Sequence, residues 1–370
     1  MIAPARMRVT GLGVITPGAN RPDRALGPRL APIPGWFEVA EALPGRGYRR
    51  LPAGCLHLLA AARAAALDTG PWFTEVPAHR RAAVVGTNNA GAALIEEFDR
   101  TIIDLGAAEL PPARVPYMAM SMFAARLAPE HLLRGFDLTT NSPAVAGLDA
   151  LQSAARALAA GRASVVLAGA VEEPPSAAQQ AGARSGAVPA DIGAAVVVCE
   201  PEETPTGGAG VYGYCSTYSA FLPDPDSARA VLEVLWEQLA QDGAAPHHID
   251  TVLDDSAIGA AVAARLTELA PDGEITTVPA ATGGGCLTPV RRVVGRLGTA
   301  GGLADRVAVV AASAHGHLSI TDITPYTGPP RSTDSTDNTN STNSTDNTDG
   351  TDSTRKTHGT PPATTKGHRP

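Results

Sequence analysis

Lysine is nearly missing from this 370-residue chain: Lys356 and Lys366 are its only two, so the first 355 residues hold no ammonium for Schiff-base chemistry. Cysteine is also scarce. Cys55, Cys199, Cys215 and Cys286 are widely spaced, with neither a CxxC pair nor the Cys/His spacing of a zinc site. That pattern argues against a disulfide framework and for a reduced compartment. No uncharged apolar run approaches the roughly 18 residues that span a bilayer, and Arg6 and Arg8 interrupt the start before a signal core can form. The expectation is a cytoplasmic protein with no membrane association. An excess of positive charge is absent as well: the formal net charge is -8, which disfavours nucleic acid as a partner.

What is abundant falls in two places. From Ser332 to Thr354 every residue except Gly350 is Ser, Thr, Asn or Asp, a composition that cannot bury enough apolar surface to offset the entropy of ordering. Residues 329–370 are therefore expected to form a disordered polar tail behind a folded body of about 328 residues. Five basic residues and five Asp balance within that tail, so the net negative charge sits on the body. The N-x-S/T matches at Asn340 and Asn343 follow from composition in a chain without a secretory signal.

The body alternates apolar β-branched runs with helical patterns, the mark of an α/β fold with buried strands. Strands are expected at Arg8–Ile15, Ala82–Gly86, Ser164–Ala168, Ala194–Cys199, Ile249–Leu253 and Arg306–Ala311. One unit occurs twice. Leu148, Leu151, Ala155 and Leu158 share a helix face, followed by a Gly161 turn and a strand; Val290, Val293, Val294 and Leu297 repeat that stripe before Gly301-Gly302 and a second strand. Each copy is introduced by a small-residue turn, Ala144–Gly147 and Gly283–Gly285. An internally duplicated body is one reading, with halves at 1–205 and 206–328 and a Pro/Thr/Gly-rich linker near Glu200–Gly210. The alternative is that several such units occur in any α/β protein.

Arg8-Val9-Thr10-Gly11-Leu12-Gly13-Val14-Ile15-Thr16-Pro17 resembles the opening strand and turn of β-ketoacyl synthases. Val84-Val85-Gly86-Thr87, Gly147-Leu148, Ala168-Gly169-Ala170-Val171-Glu172 and Asp191-Ile192-Gly193-Ala194-Ala195 follow in the family's order. The resemblance covers roughly residues 8–325. It implies the thiolase fold, two similar α/β halves in five α-β-α-β-α layers.

Active members of that family carry a cysteine at the N-terminus of the first buried helix, where the dipole favours thiolate and backbone N–H groups form an oxyanion hole. They also carry two histidines and a lysine that handle the malonyl thioester. The matching positions here are Ala144, Asp255, Gly284 and Pro279, in that order. A carboxylate at 255 has no donor and would repel a developing enolate. Four absences together make the chain similar to a chain length factor, the non-catalytic ketosynthase-β subunit of type II polyketide synthases. The usual member has glutamine where this chain has Ala144. The resemblance implies a heterodimer with an active ketosynthase-α subunit and control of acyl chain length. It also implies an acyl carrier protein whose phosphopantetheine-linked substrate reaches the complex through the partner, with no cofactor bound by this chain itself.

Tyr117, Met118, Met120, Met122 and Phe123 hold three of the five methionines within a short segment. Flexible, polarizable side chains suit the wall of an acyl tunnel or a subunit interface, and equally suit a sulfur-rich core. Cys286, after Gly283-Gly284-Gly285 and before the second buried helix, is the alternative nucleophile of a divergent thiolase-like acyltransferase, provided the helix lowers its pKa; the competing reading is a small buried hydrophobe. His315 and His317 form an HxH pair lacking a third ligand, Asp254 and Asp255 read as opposite-facing strand residues, and Asp226 or Ser227 reads as a helix cap.

Overall fold

In this computed structural model the described residues are 5–181, 188–204, 210–241, 243, 245–299 and 303–328. The polar segment 329–370, the Gly301-Gly302 turn and linker residues 205–209 lie outside them. The described residues form ten strands: β1 (Arg6–Ile15), β2 (Arg81–Gly86), β3 (Asp137–Thr140), β4 (Val165–Glu172), β5 (Gly193–Pro201), β6 (Gly213–Phe221), β7 (His248–Leu253), β8 (Glu274–Pro279), β9 (Val307–Ala312) and β10 (His317–Pro325). The six strands expected from apolar runs are found within a few residues of their expected ends. Six longer helices accompany them: α1 (Ala53–Asp68), α2 (Ala92–Asp104), α3 (Ala146–Ala159), α4 (Ser227–Gln241), α5 (Ala257–Leu269) and α6 (Leu287–Leu297).

The strand order, β3-β2-β4-β5-β1-β6-β10-β9-β7-β8, is a duplication written in hydrogen bonds. In the first five strands β2 runs parallel to β3 and β4, β4 antiparallel to β5, and β5 antiparallel to β1. In the second five, β7 runs parallel to β8 and β9, β9 antiparallel to β10, and β10 antiparallel to β6. The two sets meet where Arg6–Val9 of β1 pairs antiparallel with Gly213–Ser216 of β6.

Layering follows from which faces the strands bury. Alternate residues of one strand point to opposite faces, so Val84, Val166, Val197 and Val309 join a central core with Leu148 and Leu151 of α3 and Val290, Val293 and Val294 of α6. Their neighbours Val85, Leu167, Val196 and Val198 face α1 in a second core. Ile249, Ala308, Val310 and Ile320 face α4 and α5 in a third. Three helical layers around the two five-stranded halves of the sheet make the five layers of the thiolase-like ketosynthase fold. Burying an aliphatic side chain of this size is worth about 1.5–3 kcal/mol, and the predicted stripes of α3 and α6 are buried throughout.

Small residues set the ends of these helices. After α3, Gly161 takes φ 64, Arg162 N–H reaches Ala157 O at 2.9 Å and Gly161 N–H reaches Leu158 O at 2.9 Å, closing the helix in a Schellman motif. Before α4 the capping carboxylate is that of Asp224 rather than Asp226 or Ser227: it accepts from Ser227 N–H at 2.8 Å.

Candidate functional site

The turn between β3 and α3 holds Ala144 with φ 63, one of two non-glycine residues with positive φ among the described residues. A left-handed alanine costs roughly 1–2 kcal/mol, so its surroundings must hold it there. Ala144 N–H donates to Gly284 O at 2.8 Å, Asn141 Nδ2 donates to Thr87 O at 2.8 Å, and Thr140 Oγ1 donates to Ala146 O at 2.8 Å. A strained strand-to-helix turn of this kind exposes the nucleophile in elbow-type active sites. Here the side chain is a methyl group, 2% exposed.

The amides that would form an oxyanion hole are spoken for. Besides Ala144, Val145 N–H donates to Pro143 O at 2.8 Å and Ala146 N–H to Ser142 O at 3.2 Å. Gly147 itself lets α3 meet α6: a Cβ there would lie 2.5 Å from Val290 Cγ2 and 2.7 Å from Cys286 O.

The opposing loop belongs to the second half. Gly283 and Gly284 have φ 78 and 67, and Gly283 O accepts from Asn88 Nδ2 at 2.8 Å and Asn89 Nδ2 at 3.1 Å. Beneath lies the buried carboxylate of Glu172, accepting from the N–H groups of Asn88 and Asn89 at 2.8 Å and of Cys286 at 2.9 Å. Its neighbour Glu173 accepts from Gly54 N–H at 2.7 Å and Gly91 N–H at 2.8 Å. Glu172 at the end of β4 and Glu173 just after it thus pin the loops of both halves around the Ala144 turn. Asn88, Asn89 and these roles of Glu172 and Glu173 escape sequence reasoning; the available signal is a pair of carboxylates closing an otherwise apolar buried strand.

Electrostatics set against chemistry at Cys286. Burial pushes its thiol well above the ordinary cysteine range, and the Glu172 carboxylate pushes it further. The helix dipole expected to lower it is outweighed by complete desolvation. Burial raises Glu172 to about 7, against the lowering effect of its hydrogen bonds. Cys55, Cys199 and Cys215 are likewise free and buried, each with its thiol pushed up chiefly by desolvation.

The four positions that the family resemblance assigns to catalysis do not all converge. Ala144 and Gly284 touch. Pro279 ends β8, exposed, its carbonyl accepting from Arg29 Nη2 at 3.1 Å. Asp255 is exposed beyond the end of β7. Asp254 and Asp255 are loop residues rather than opposite-facing strand residues, since β7 stops at Leu253; Asp254 accepts from Ala314 N–H at 2.7 Å. His315 sits in a turn and His317 opens β10 with Gly316 between them at φ 86, so the pair shares no strand face. Among the described residues no group of three His, Cys, Asp or Glu is arranged to hold a metal ion.

The methionine segment divides. Tyr117 and Phe123 are 8% and 1% exposed, edge to face at 6.2 Å inside the first-half core, with Met122 packed against it. Met118 is 37% exposed. Met120 reaches the site: its sulfur accepts from Asn141 Nδ2 at 3.3 Å, three residues from Ala144. Beside it β3 is an edge strand paired only with β2 among the described residues, with Leu138 42% exposed.

Residues 43–199 match the family model "Beta-ketoacyl synthase, N-terminal domain". The chain is 25% identical to 3-oxoacyl-[acyl-carrier-protein] synthase 2 of Vibrio harveyi, over 45% of this chain and 46% of the relative. It is 24% identical to the synthase of the same name from Vibrio cholerae, over the same shares. The match thus spans less than half the length of these curated relatives. Three solved structures share the fold. One is a type II polyketide synthase acyl-carrier protein in complex with its ketosynthase bound to the hexaketide: TM-score 0.71, 17% identity, 87% of this chain and 100% of that one. The second is the ishigamide ketosynthase/chain length factor: TM-score 0.70, 19% identity, 87% and 99%. The third is a β-ketoacyl synthase from Burkholderia phymatum STM815: TM-score 0.71, 16% identity, 87% and 100%. Among the described residues, no helix is long and apolar enough to cross a membrane.

Proposed function

We propose, from a chain whose residues 43–199 match the β-ketoacyl synthase N-terminal domain, that this protein is a non-catalytic ketosynthase-like subunit. It pairs with an active ketosynthase and bounds the length of the acyl chain made in type II polyketide biosynthesis. The observation that carries this reading is Ala144: the backbone keeps the elbow conformation, φ 63, while the side chain has no nucleophile and the amide is bonded to Gly284 O. A turn that retains the strain and loses the chemistry fits a body kept for its shape.

Pairing draws support from β3. An edge strand with an exposed leucine offers unpaired backbone groups for another chain to extend, and Met120 reaches Asn141 just past its end. In this reading the partner's cysteine carries the growing chain and an acyl carrier protein delivers extender units. Each added two-carbon unit gains burial until the walls block it, after which overpacking costs more than transfer gains.

The rival reading, acyl transfer by Cys286, is opposed by complete burial and a raised thiol pKa. The test is co-expression with an active ketosynthase of a type II polyketide synthase. A stable one-to-one complex whose product lengthens in Met120→Ala supports the proposal. A complex whose product length is the same with and without this chain contradicts it.

A further inference from the structure

Away from the Ala144 turn, a cleft of about 240 Å³ opens between the 26–29 loop, the edge strand β8 and α6. Leu26, Pro28 and Val278 form its apolar walls, and Arg29, Arg291 and Arg292 supply its charge. Two buried carboxylates answer the guanidinium groups around it. Asp191 pairs with Arg29 at 3.1 Å, and Asp250 pairs with Arg292 at 2.8 Å and with Arg296, behind the cleft, at 2.6 Å. Arg291 is left over. It is 6% exposed, and no carboxylate of the described residues lies within ion-pair distance of it. Its Nε donates to Ala25 O at 2.9 Å and its Nη2 to Gly27 O, which fixes the plane of the guanidinium. Its Nη1 has no hydrogen-bond partner among the described residues.

A buried cation without a counter-ion is costly, and here Arg29 and Arg292 add repulsion that, after burial itself, depresses the Arg291 pKa despite the attraction of Asp191. A guanidinium held by two backbone carbonyls, with one nitrogen free beside a cleft, is arranged to receive an oxyanion. We infer that this cleft binds a small phosphate-type anion, free phosphate or a phosphate monoester, on Arg291, with the apolar walls facing the rest of the ligand.

The test is thermal unfolding of the full chain in sodium phosphate, in ethyl phosphate and in sodium chloride at matched ionic strength, repeated for Arg291→Gln. Because Arg291 also secures the 26–29 loop, Thr276→Phe, which fills the cleft from β8, serves as a second variant. The expected result is a saturable rise of the midpoint with phosphate or ethyl phosphate but not chloride, absent in both variants. A response to both phosphates assigns a monoester site, and a response to inorganic phosphate alone assigns a free-phosphate site. No response, an equal response to chloride, or a response retained in both variants overturns the inference.

Discussion

Ala144 donates its amide to the carbonyl of Gly284 across 2.8 Å, so the two positions to which the ketosynthase resemblance assigns a cysteine and a histidine are bonded to each other through their backbones. The contact joins the turn before α3 to the glycine loop before α6, one from each half of the duplicated body. It converts what the elbow would offer a substrate, an aimed amide, into an internal strut.

Restoring the side chain alone should therefore restore little. Ala144→Cys is expected to remain unacylated by an acyl thioester in intact-mass measurements, because the N–H groups of residues 144–146 are already engaged. Stoichiometric acylation of the new cysteine would show that those amides open readily.

The α3–α6 contact depends on a missing side chain. Gly147→Ala brings a Cβ to 2.5 Å from Val290 Cγ2 and 2.7 Å from Cys286 O. Urea unfolding is expected to show a loss of about 1–3 kcal/mol. Adding Val290→Ala should recover only part of that loss, since the backbone oxygen of Cys286 stays in place; full recovery would locate the clash in the side chain alone.

Glu172 gives the fold a pH dependence of defined sign. Its pKa is raised from 4.5 to about 7 in the folded protein, so the native state holds the proton more tightly than the unfolded chain. Its contribution is complete below about pH 4.5 and is lost as pH rises toward 7. The neutral buried histidines His57 and His131, lowered to about 4, act oppositely: their contribution is present above 6.5 and lost as pH falls. Subtracting the stability profile of Glu172→Gln from that of the parent protein should isolate a decline between pH 4.5 and 7. A flat difference would mean that the amides of Asn88, Asn89 and Cys286 keep the carboxylate ionised throughout.

The edge strand β3 carries the proposed pairing. Leu138→Asp places a charge at a site already 42% exposed, so the chain should fold with an unchanged circular dichroism spectrum and fail to copurify with the ketosynthase. Retained copurification would move the interface elsewhere.

Much of this architecture can be read from residues, for a physical reason. Central strands buried on both faces are continuous apolar runs, so β1, β2, β4, β5, β7 and β9 announce themselves. The stripes Leu148-Leu151-Ala155-Leu158 and Val290-Val293-Val294-Leu297 do the same for α3 and α6. The edge strands β3 (Asp-Leu-Thr-Thr) and β8 are polar or half exposed and carry no such signal. β6 and β10 mix Ser, Thr and Asp with apolar residues because their buried hydroxyls pair across the sheet, as Thr217 and Thr321 do at 2.9 Å. The site is legible only as positions. That Gly284 lies against Ala144 depends on two loops some 140 residues apart, and neither the raised pKa of Cys286 nor the clamp made by Glu172 has a local pattern.

The most direct test is an intact-mass measurement of both subunits after the copurified complex is incubated with an acyl thioester. The account predicts one acyl group on the ketosynthase and an unmodified mass for this chain. Stoichiometric acylation of this chain, abolished by Cys286→Ala, would contradict it.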